Sequence, residues 1–227
     1  MKKLFLFTAL AFFGLQISAQ DINFKKNNFS SFADWAFYVG ESEGEGADIQ
    51  YGLTHNFTYG LKYMRGLHHA FGVGIGLHYQ YQAFHMEQVD TKLVPNITLH
   101  DQEIFKLHNL GTEVFMRFTL KRELSKPVVY LEAGGYGNWA YGINHETYNE
   151  VEMADIPDGY TELTAIKSDL TYFEALNYGL SAKLGYKMFA LIGSYRLSDY
   201  FTSDFKEQVT DAEFPRLTIG IQFNPMR

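Results

Sequence analysis

The sequence predicts an all-β protein: an eight-stranded antiparallel up-and-down transmembrane β-barrel with long outer loops and short periplasmic turns. Three observations lead there. Large apolar residues alternate with small or polar ones over most of the chain, and such a period of two marks strands rather than helices. The only long apolar run is Leu4 to Leu15, so any membrane crossing further along must be made by strands closed into a barrel. The connections between alternating segments run long, short, long, short, as in barrels with loops at one surface and turns at the other.

The chain of 227 residues opens with Lys2 and Lys3, the twelve-residue apolar run Leu4–Leu15, and Ile17-Ser18-Ala19. That order is a secretory signal peptide cleaved after Ala19, because twelve residues are short of the roughly 20 that a spanning helix needs. Residues 1–19 are then the export signal and 20–227 the barrel domain, which carries 17 bases against 26 acids.

The expected strands follow in order. Ala33–Gly40 is the first and weakly patterned. Ile49–Arg65 is the clearest: Ile49, Tyr51, Leu53, His55, Phe57, Tyr59, Leu61 and Tyr63 alternate with polar or small residues. Phe71–Gln82 places Phe71, Val73, Ile75, Leu77, Tyr79 and Tyr81 opposite three glycines, His78, Gln80 and Gln82. Leu110–Lys121 and Val128–Ile143 are weaker. Leu170–Tyr186, Met188–Leu197 and Arg216–Phe223 complete the eight. The long connections fall at 41–48, 85–103, 144–169 and 199–213, and an even strand count puts both termini on the periplasmic side.

The two faces decide between lipid and water. The bulky apolar face is unbroken along whole strands, whereas the opposite face is rich in Gly, Ser, Thr, Asn and Gln. Eight strands enclose a bore just wide enough for side chains to fill, which suits the small polar face. An aqueous sandwich would have to expose Tyr51, Phe57, Tyr59 and Tyr63 in a row. The inward set includes Asp34, Lys62, Glu113, Arg117, Glu132, Lys183, Arg196 and Arg216. Its mixed sign allows a buried ion-pair network, and buried charge is tolerated when paired. Trp35, Phe37, Tyr79, Tyr81, Trp139, Tyr141, Tyr172 and Tyr195 lie near strand ends, where interfacial aromatic girdles are built.

The signal peptide, the eight alternating strands and the closing Arg216–Phe223 segment resemble the small outer-membrane β-barrel proteins of Gram-negative bacteria. The type is OmpX/OmpA-like or porin-like, as found in Bacteroidetes-type genomes, and the resemblance spans the whole mature chain. It implies a cell outer-membrane location and assembly by the barrel assembly machinery. In that family the last strand carries the assembly signal and ends in an aromatic; Leu217, Ile219, Ile221 and Phe223 match it, and Asn224-Pro225-Met226-Arg227 follow.

Composition narrows the function. The chain lacks cysteine, which excludes a disulfide scaffold, a thiolate metal site, a cysteine nucleophile and an acylated N-terminal cysteine. The excess of acid argues against nucleic acid as a partner. Of the 26 acids, 20 lie in or border the four long connections, against Lys92, Lys167 and Lys206. Such a face is expected to be solvated and to attract divalent cations; Asp155-x-x-Asp158-Gly159-x-x-Glu162 has a calcium-like composition without the EF-hand spacing. Among the histidines, His78 and His108 are expected in the lumen and His55 on the lipid face, while His85, His100 and His145 lie near the outer rim with Ser198, Ser203, Asp199 and Asp204 on another loop. No His-x-Ser pair on one strand marks a catalytic rim, so neither enzyme nor cofactor is expected. The expected partners are outer-membrane lipids, lipopolysaccharide and the assembly machinery, and the expected state is a monomer. The expected role is structural in the envelope or binding through the loops; the alternatives are a narrow pore, a lateral passage for apolar solutes as in OmpW-like barrels, an accessory barrel of a secretion system and, last, a lipid A-modifying barrel enzyme.

Overall fold

The computed structural model describes residues 27–68, 70–123, 126–152, 160–168, 170–209 and 211–224. The export signal at 1–19, most of the Asp155–Glu162 stretch and Pro225–Arg227 lie outside the described residues.

Among the described residues the chain is all-β apart from one short helix. Its elements are β1 (Asn27–Val39), β2 (His55–His68), β3 (Phe71–His85), β4 (Gln102–Glu123), β5 (Lys126–Glu152), β6 (Tyr160–Ser168), β7 (Leu176–Tyr186), β8 (Phe189–Arg196), α1 (Ser203–Lys206) and β9 (Leu217–Phe223). All pairings are antiparallel. The ring runs β1–β2–β3–β4–β5–β7–β8–β9 and closes where β9 pairs with β1, from Ala33↔Phe223 to Val39↔Leu217. Among the described residues the sheet has nine strands, the eight of the ring and one more. The extra strand, β6, lies in what reads from sequence as a loop. It pairs only with the far half of β5, from Asn144↔Ser168 to Glu152↔Tyr160, and forms a hairpin that projects beyond the ring.

Alternation sets the two faces of the ring. On β2, Phe57, Tyr59 and Leu61 are exposed while Asn56, Thr58 and Lys62 are buried. On β9, Leu217, Ile219, Ile221 and Phe223 point out, and Thr218 and Gln222 are buried. Glycines on the inward face make room for large neighbours. A Cβ at Gly74 would overlap the Phe115 ring, one at Gly185 the Tyr130 ring, and one at Gly111 the His78 and Asn138 side chains.

Toward the long-connection end the apolar face reverses. β4 keeps its geometry, yet Leu110, Val114, Met116 and Phe118 are exposed outside while Phe105 and Leu107 are wholly buried inside. β5 reverses by another means. His108 pairs with Gly142 and Asn109 with Ala140, so Tyr141 is an extra residue. Such a bulge swaps the faces of everything beyond it, and Ile143 packs inward although Trp139, also odd-numbered, is exposed outside.

Above the reversal sits an apolar cap. Tyr38, Ala47, Ile49, Phe84, Met86, Val94, Phe105, Leu107, Leu170, Phe173, Tyr200, Phe201, Val209, Ala212 and Phe214 form one buried cluster, contributed by strand ends and all four long connections. Phe84 and Phe214 stack with centroids 4.3 Å apart at 14°. Isolated bridges Glu43↔Glu213, Ile49↔Met86 and Phe173↔Phe201 tie the connections together.

The cap corrects three sequence expectations. β2 starts at His55, not at Ile49, because Tyr51–Leu53 is a turn with Gly52 at φ +88° and Ile49 belongs to the cap. β7 starts at Leu176, because Leu170, Tyr172 and Phe173 fold into or against the cap. Tyr172 is accordingly not part of an outer aromatic girdle.

Candidate functional site

Three levels occupy the axis of the barrel. The lowest is a waist of ion pairs. Lys62 of β2 lies with Nζ 3.2 Å from Glu113 Oε1 and 3.2 Å from Glu132 Oε2. Lys183 of β7 reaches Glu113 Oε2 at 2.8 Å. Arg117 donates from Nε to Glu132 Oε1 at 2.7 Å, with Nη2 on the same oxygen. Asp34 accepts from Gln222 Nε2 at 2.7 Å, and Gln222 accepts in turn from Lys62 at 3.2 Å. Lys62 also sits 4.5 Å from the Phe32 ring centroid, and the Arg117 guanidinium lies 4.4 Å over Tyr130. All six charged groups are buried, so three cations and three acids balance where water cannot screen them.

Above the waist lies a polar chamber of about 60 Å³, lined among others by Asp34, Asn56, His78, Asn138, Ser194 and Thr218. His78 Nε2 is 2.8 Å from Asn138 Oδ1, and its Nδ1 is buried with no hydrogen-bond partner. The space holds a few waters and no larger solute. Tyr38, Tyr200 and Gln82 close its roof: Gln82 Nε2 donates to Tyr38 Oη at 2.5 Å and to Tyr200 Oη at 2.6 Å.

The third level is the mouth, where acids and bases act as clasps. Arg196 lies inside the barrel but apart from the waist: its Nη2 meets Glu213 at 3.0 Å and its guanidinium covers Tyr200 at 3.8 Å. Arg216 immediately precedes β9 and stands at the rim of the lumen, lining a small cavity with Arg196 and Tyr200 but apart from the waist network. There its Nε and Nη2 grip both carboxylate oxygens of Glu43 at 2.7 Å, and Nη2 also meets Asp199 at 2.6 Å. Lys206 adds a second contact to Asp199 at 3.0 Å. On the other side, buried Glu103 holds Lys92 and His145, each at 2.6 Å.

Titration at the mouth follows these contacts. The Arg216 hydrogen bonds hold the Glu43 carboxyl below its ordinary value against a smaller opposing effect of burial. Burial would raise Glu103 and Asp199, but bonds from His145, Lys92 and Gln88 to the former, and from Arg216 and Lys206 to the latter, lower both. Glu213 goes the other way: burial lifts it despite Arg196 and the amides of Tyr200 and Phe201. Loop acids that read from sequence as a free solvated surface thus include four that bind the cap together.

The histidines divide differently from the sequence expectation. His78 faces the chamber. His108 lies outside, its Nδ1 2.7 Å from Tyr79 Oη and its ring near Tyr81 and Tyr141. His55 is also outside, 6.1 Å from the Trp35 ring. His85 meets Gln102, His100 meets Asn149, and His145 meets Glu103; none of these three bonds a serine. Among the described residues no group of three or more His, Asp or Glu stands close enough to hold a metal ion.

A cleft of about 370 Å³ opens beside the cap, between the β5–β6 hairpin and the connections that carry Asn96, His100, Tyr172 and Phe205. Sequence reasoning missed it, because its walls come from five separate segments.

No protein-family model and no curated protein matches the chain. Among solved structures, it is similar to the crystal structure of Ail, the attachment invasion locus protein of Yersinia pestis, in complex with the heparin analogue sucrose octasulfate. The match covers 88% of this chain and 99% of that chain, at 11% sequence identity and a TM-score of 0.35.

Proposed function

We propose that the chain is an integral outer-membrane β-barrel protein with a non-catalytic role, structural in the envelope or binding through its capped outer end. The observation that carries this reading is the outside of the ring. Val114 at 61%, Leu180 at 55% and Ile221 at 59% exposure belong to a belt of large apolar side chains on every strand of the ring, around a charged and polar interior. Soluble monomers rarely expose a contiguous patch beyond a few hundred Å², and a lipid phase removes that cost. Phe57–Arg65 of β2 rises about 3.3 Å per residue, which when tilted matches an apolar band of about 25 Å. Trp35, Phe37, Trp139, Tyr141 and Tyr195 are exposed toward the capped end of that belt, where headgroups would meet them. Lipids and lipopolysaccharide are then its surroundings, the barrel assembly machinery its route of insertion, and a monomer its working state. Divalent cations would bridge to lipopolysaccharide phosphates only at loop acids free of clasps, such as Asp90 or Asp204.

Fractionation and gel migration test the reading: recovery with the outer membrane and a mobility that changes on boiling are expected, and a soluble periplasmic protein refutes it. Waist and cap both obstruct the axis, so planar-bilayer recordings should show no steady current. A sustained single-channel conductance would instead favour the narrow-pore reading.

A further inference from the structure

We propose that the cleft between the β5–β6 hairpin and the cap is a binding site for a saccharide carrying an anionic group. This deepens the proposed surface role and rests on it, since that role turns this end of the barrel outward.

The first reason is charge. The long connections hold or border 20 of the 26 acids, yet among the described residues no Asp or Glu lines the cleft. Its walls carry Lys167, His100 and His145 instead. Lys167 is exposed and its ammonium has no acid partner among the described residues, whereas Lys92, Lys106 and Lys206 are each paired. His145 is the cross-strand neighbour of Lys167, so both side chains stand on one face of the hairpin. An unpaired cation beside two imidazoles, with Glu103 behind His145 and no carboxylate among the described lining residues, is a place for a carboxylate or phosphate.

The second reason is that the polar groups are held ready. Glu103 fixes His145 Nε2 at 2.6 Å, and Phe105 stacks on the same ring at 4.6 Å and 15°. His100 is held through Nδ1 by Asn149, whose Nδ2 lies 3.1 Å away and donates in the tautomer that leaves Nε2–H free, and through its backbone amide by Gln88 at 2.8 Å. Side chains already held in place lose less entropy on binding.

The third reason is shape. Tyr172 and Phe205 stack at 4.8 Å and 24° and give the cleft a flat apolar wall for the C–H face of a sugar ring. A volume of about 370 Å³ is at the lower end of small-ligand clefts, about 300–1,000 Å³, and suits one or two rings. An acyl chain would leave the imidazoles and Lys167 unused, and a folded partner needs a broader surface, about 800 Å².

The test uses the full mature protein folded in detergent micelles, with calorimetric titration of digalacturonate, glucose 6-phosphate, maltose and inorganic phosphate. At least one of the two acidic sugars should bind ten-fold or more tighter than both maltose and phosphate. Lys167→Gln should weaken that binding ten-fold or more. Ala165→Trp, on an exposed strand position lining the cleft, should abolish it by filling the space. Both variants sit on the projecting hairpin, so boiling-dependent gel migration should stay unchanged and report an intact barrel. Displacement of the bound sugar by lipopolysaccharide micelles would assign the site to lipid-borne sugar, and its absence to free glycan. Binding of maltose equal to the acidic sugars, binding unaltered in Lys167→Gln, or no acidic sugar bound at millimolar concentration overturns the proposal. Failure of the membrane reading would show in fractionation, not here.

Discussion

Replacing Glu132 with Gln removes one of three acids that balance three cations at the waist. Glu132 lies 3.2 Å from Lys62 Nζ and 2.7 Å from Arg117 Nε. At an effective dielectric of about 20 these contacts are worth about 5 and 6 kcal/mol. Much of that gross attraction offsets the desolvation of Glu132, which the variant no longer requires. Lys62 keeps Glu113 and Gln222 as partners, whereas Arg117 loses its carboxylate and keeps only a neutral amide acceptor and its place over Tyr130. The net loss should fall at about 3–5 kcal/mol, the range for removing one partner of a buried pair. With a urea slope of about 2 kcal/mol per molar, the midpoint moves down by about 2 M. Equilibrium unfolding from lipid vesicles, followed by Trp35 and Trp139 fluorescence, measures it. A second change, Arg117→Gln with Glu132→Gln, removes the orphaned cation and should recover at least half of the loss. A midpoint within about 0.5 M of the parent for Glu132→Gln alone would refute the idea that the waist is a coupled network.

Other outcomes follow from the same geometry. Gly185→Val should cut folding yield sharply, because even a Cβ there overlaps the Tyr130 ring; refolding onto vesicles scored by gel migration checks it. Phe214→Ala removes a wholly buried ring that stacks on Phe84 and should cost about 3–5 kcal/mol, seen as protease cutting in the long connections while the barrel stays resistant. Glu43, Glu103 and Asp199 have lowered carboxyl pKa values in the folded state. Their stabilisation is complete above the ordinary carboxylate range and lost as pH falls through the lowered values. Glu213, raised by burial, acts in the opposite sense and adds stability as pH falls through its own raised value. The thermal midpoint should therefore not decline from pH 7 to 5 and should fall below about 4; a decline that begins near pH 6 would contradict it.

The barrel was legible in the sequence because a two-faced strand writes itself into neighbouring residues. Leu217, Ile219, Ile221 and Phe223 need only their own spacing to declare a face. The waist was legible for a related reason: Lys62, Glu113, Arg117, Glu132 and Lys183 each fall on the polar phase of a strand. The cap was not legible. Ile49, Val94, Leu170, Phe201 and Phe214 sit in different connections with no shared period, and only ring closure brings them together. The same blindness misplaced His108. It lies where β4 changes from apolar-outside at Leu110 to apolar-inside at Leu107, and a reader carrying hydrophobicity across that boundary assigns the wrong side. β6 was missed because its nine residues, from Tyr160 to Ser168, are exposed wherever their side chains are described and lack a buried face to impose a pattern.

The shared cap also limits how this surface can change. On a barrel whose loops fray independently, each loop can lengthen or be exchanged without consulting the others. Here Ile49, Val94, Phe173 and Phe214 come from four connections and share one apolar cluster, and Glu213 bonds the backbone of Tyr200 while bridging to Glu43. Exchanging one connection strips contacts from the remaining three. Variation at the outward end is thus confined to the projecting hairpin and the residues that turn away from the cluster. A foreign epitope grafted at the hairpin tip should leave the barrel and cap intact, whereas the same graft between Tyr200 and Phe214 should unseat all four connections together.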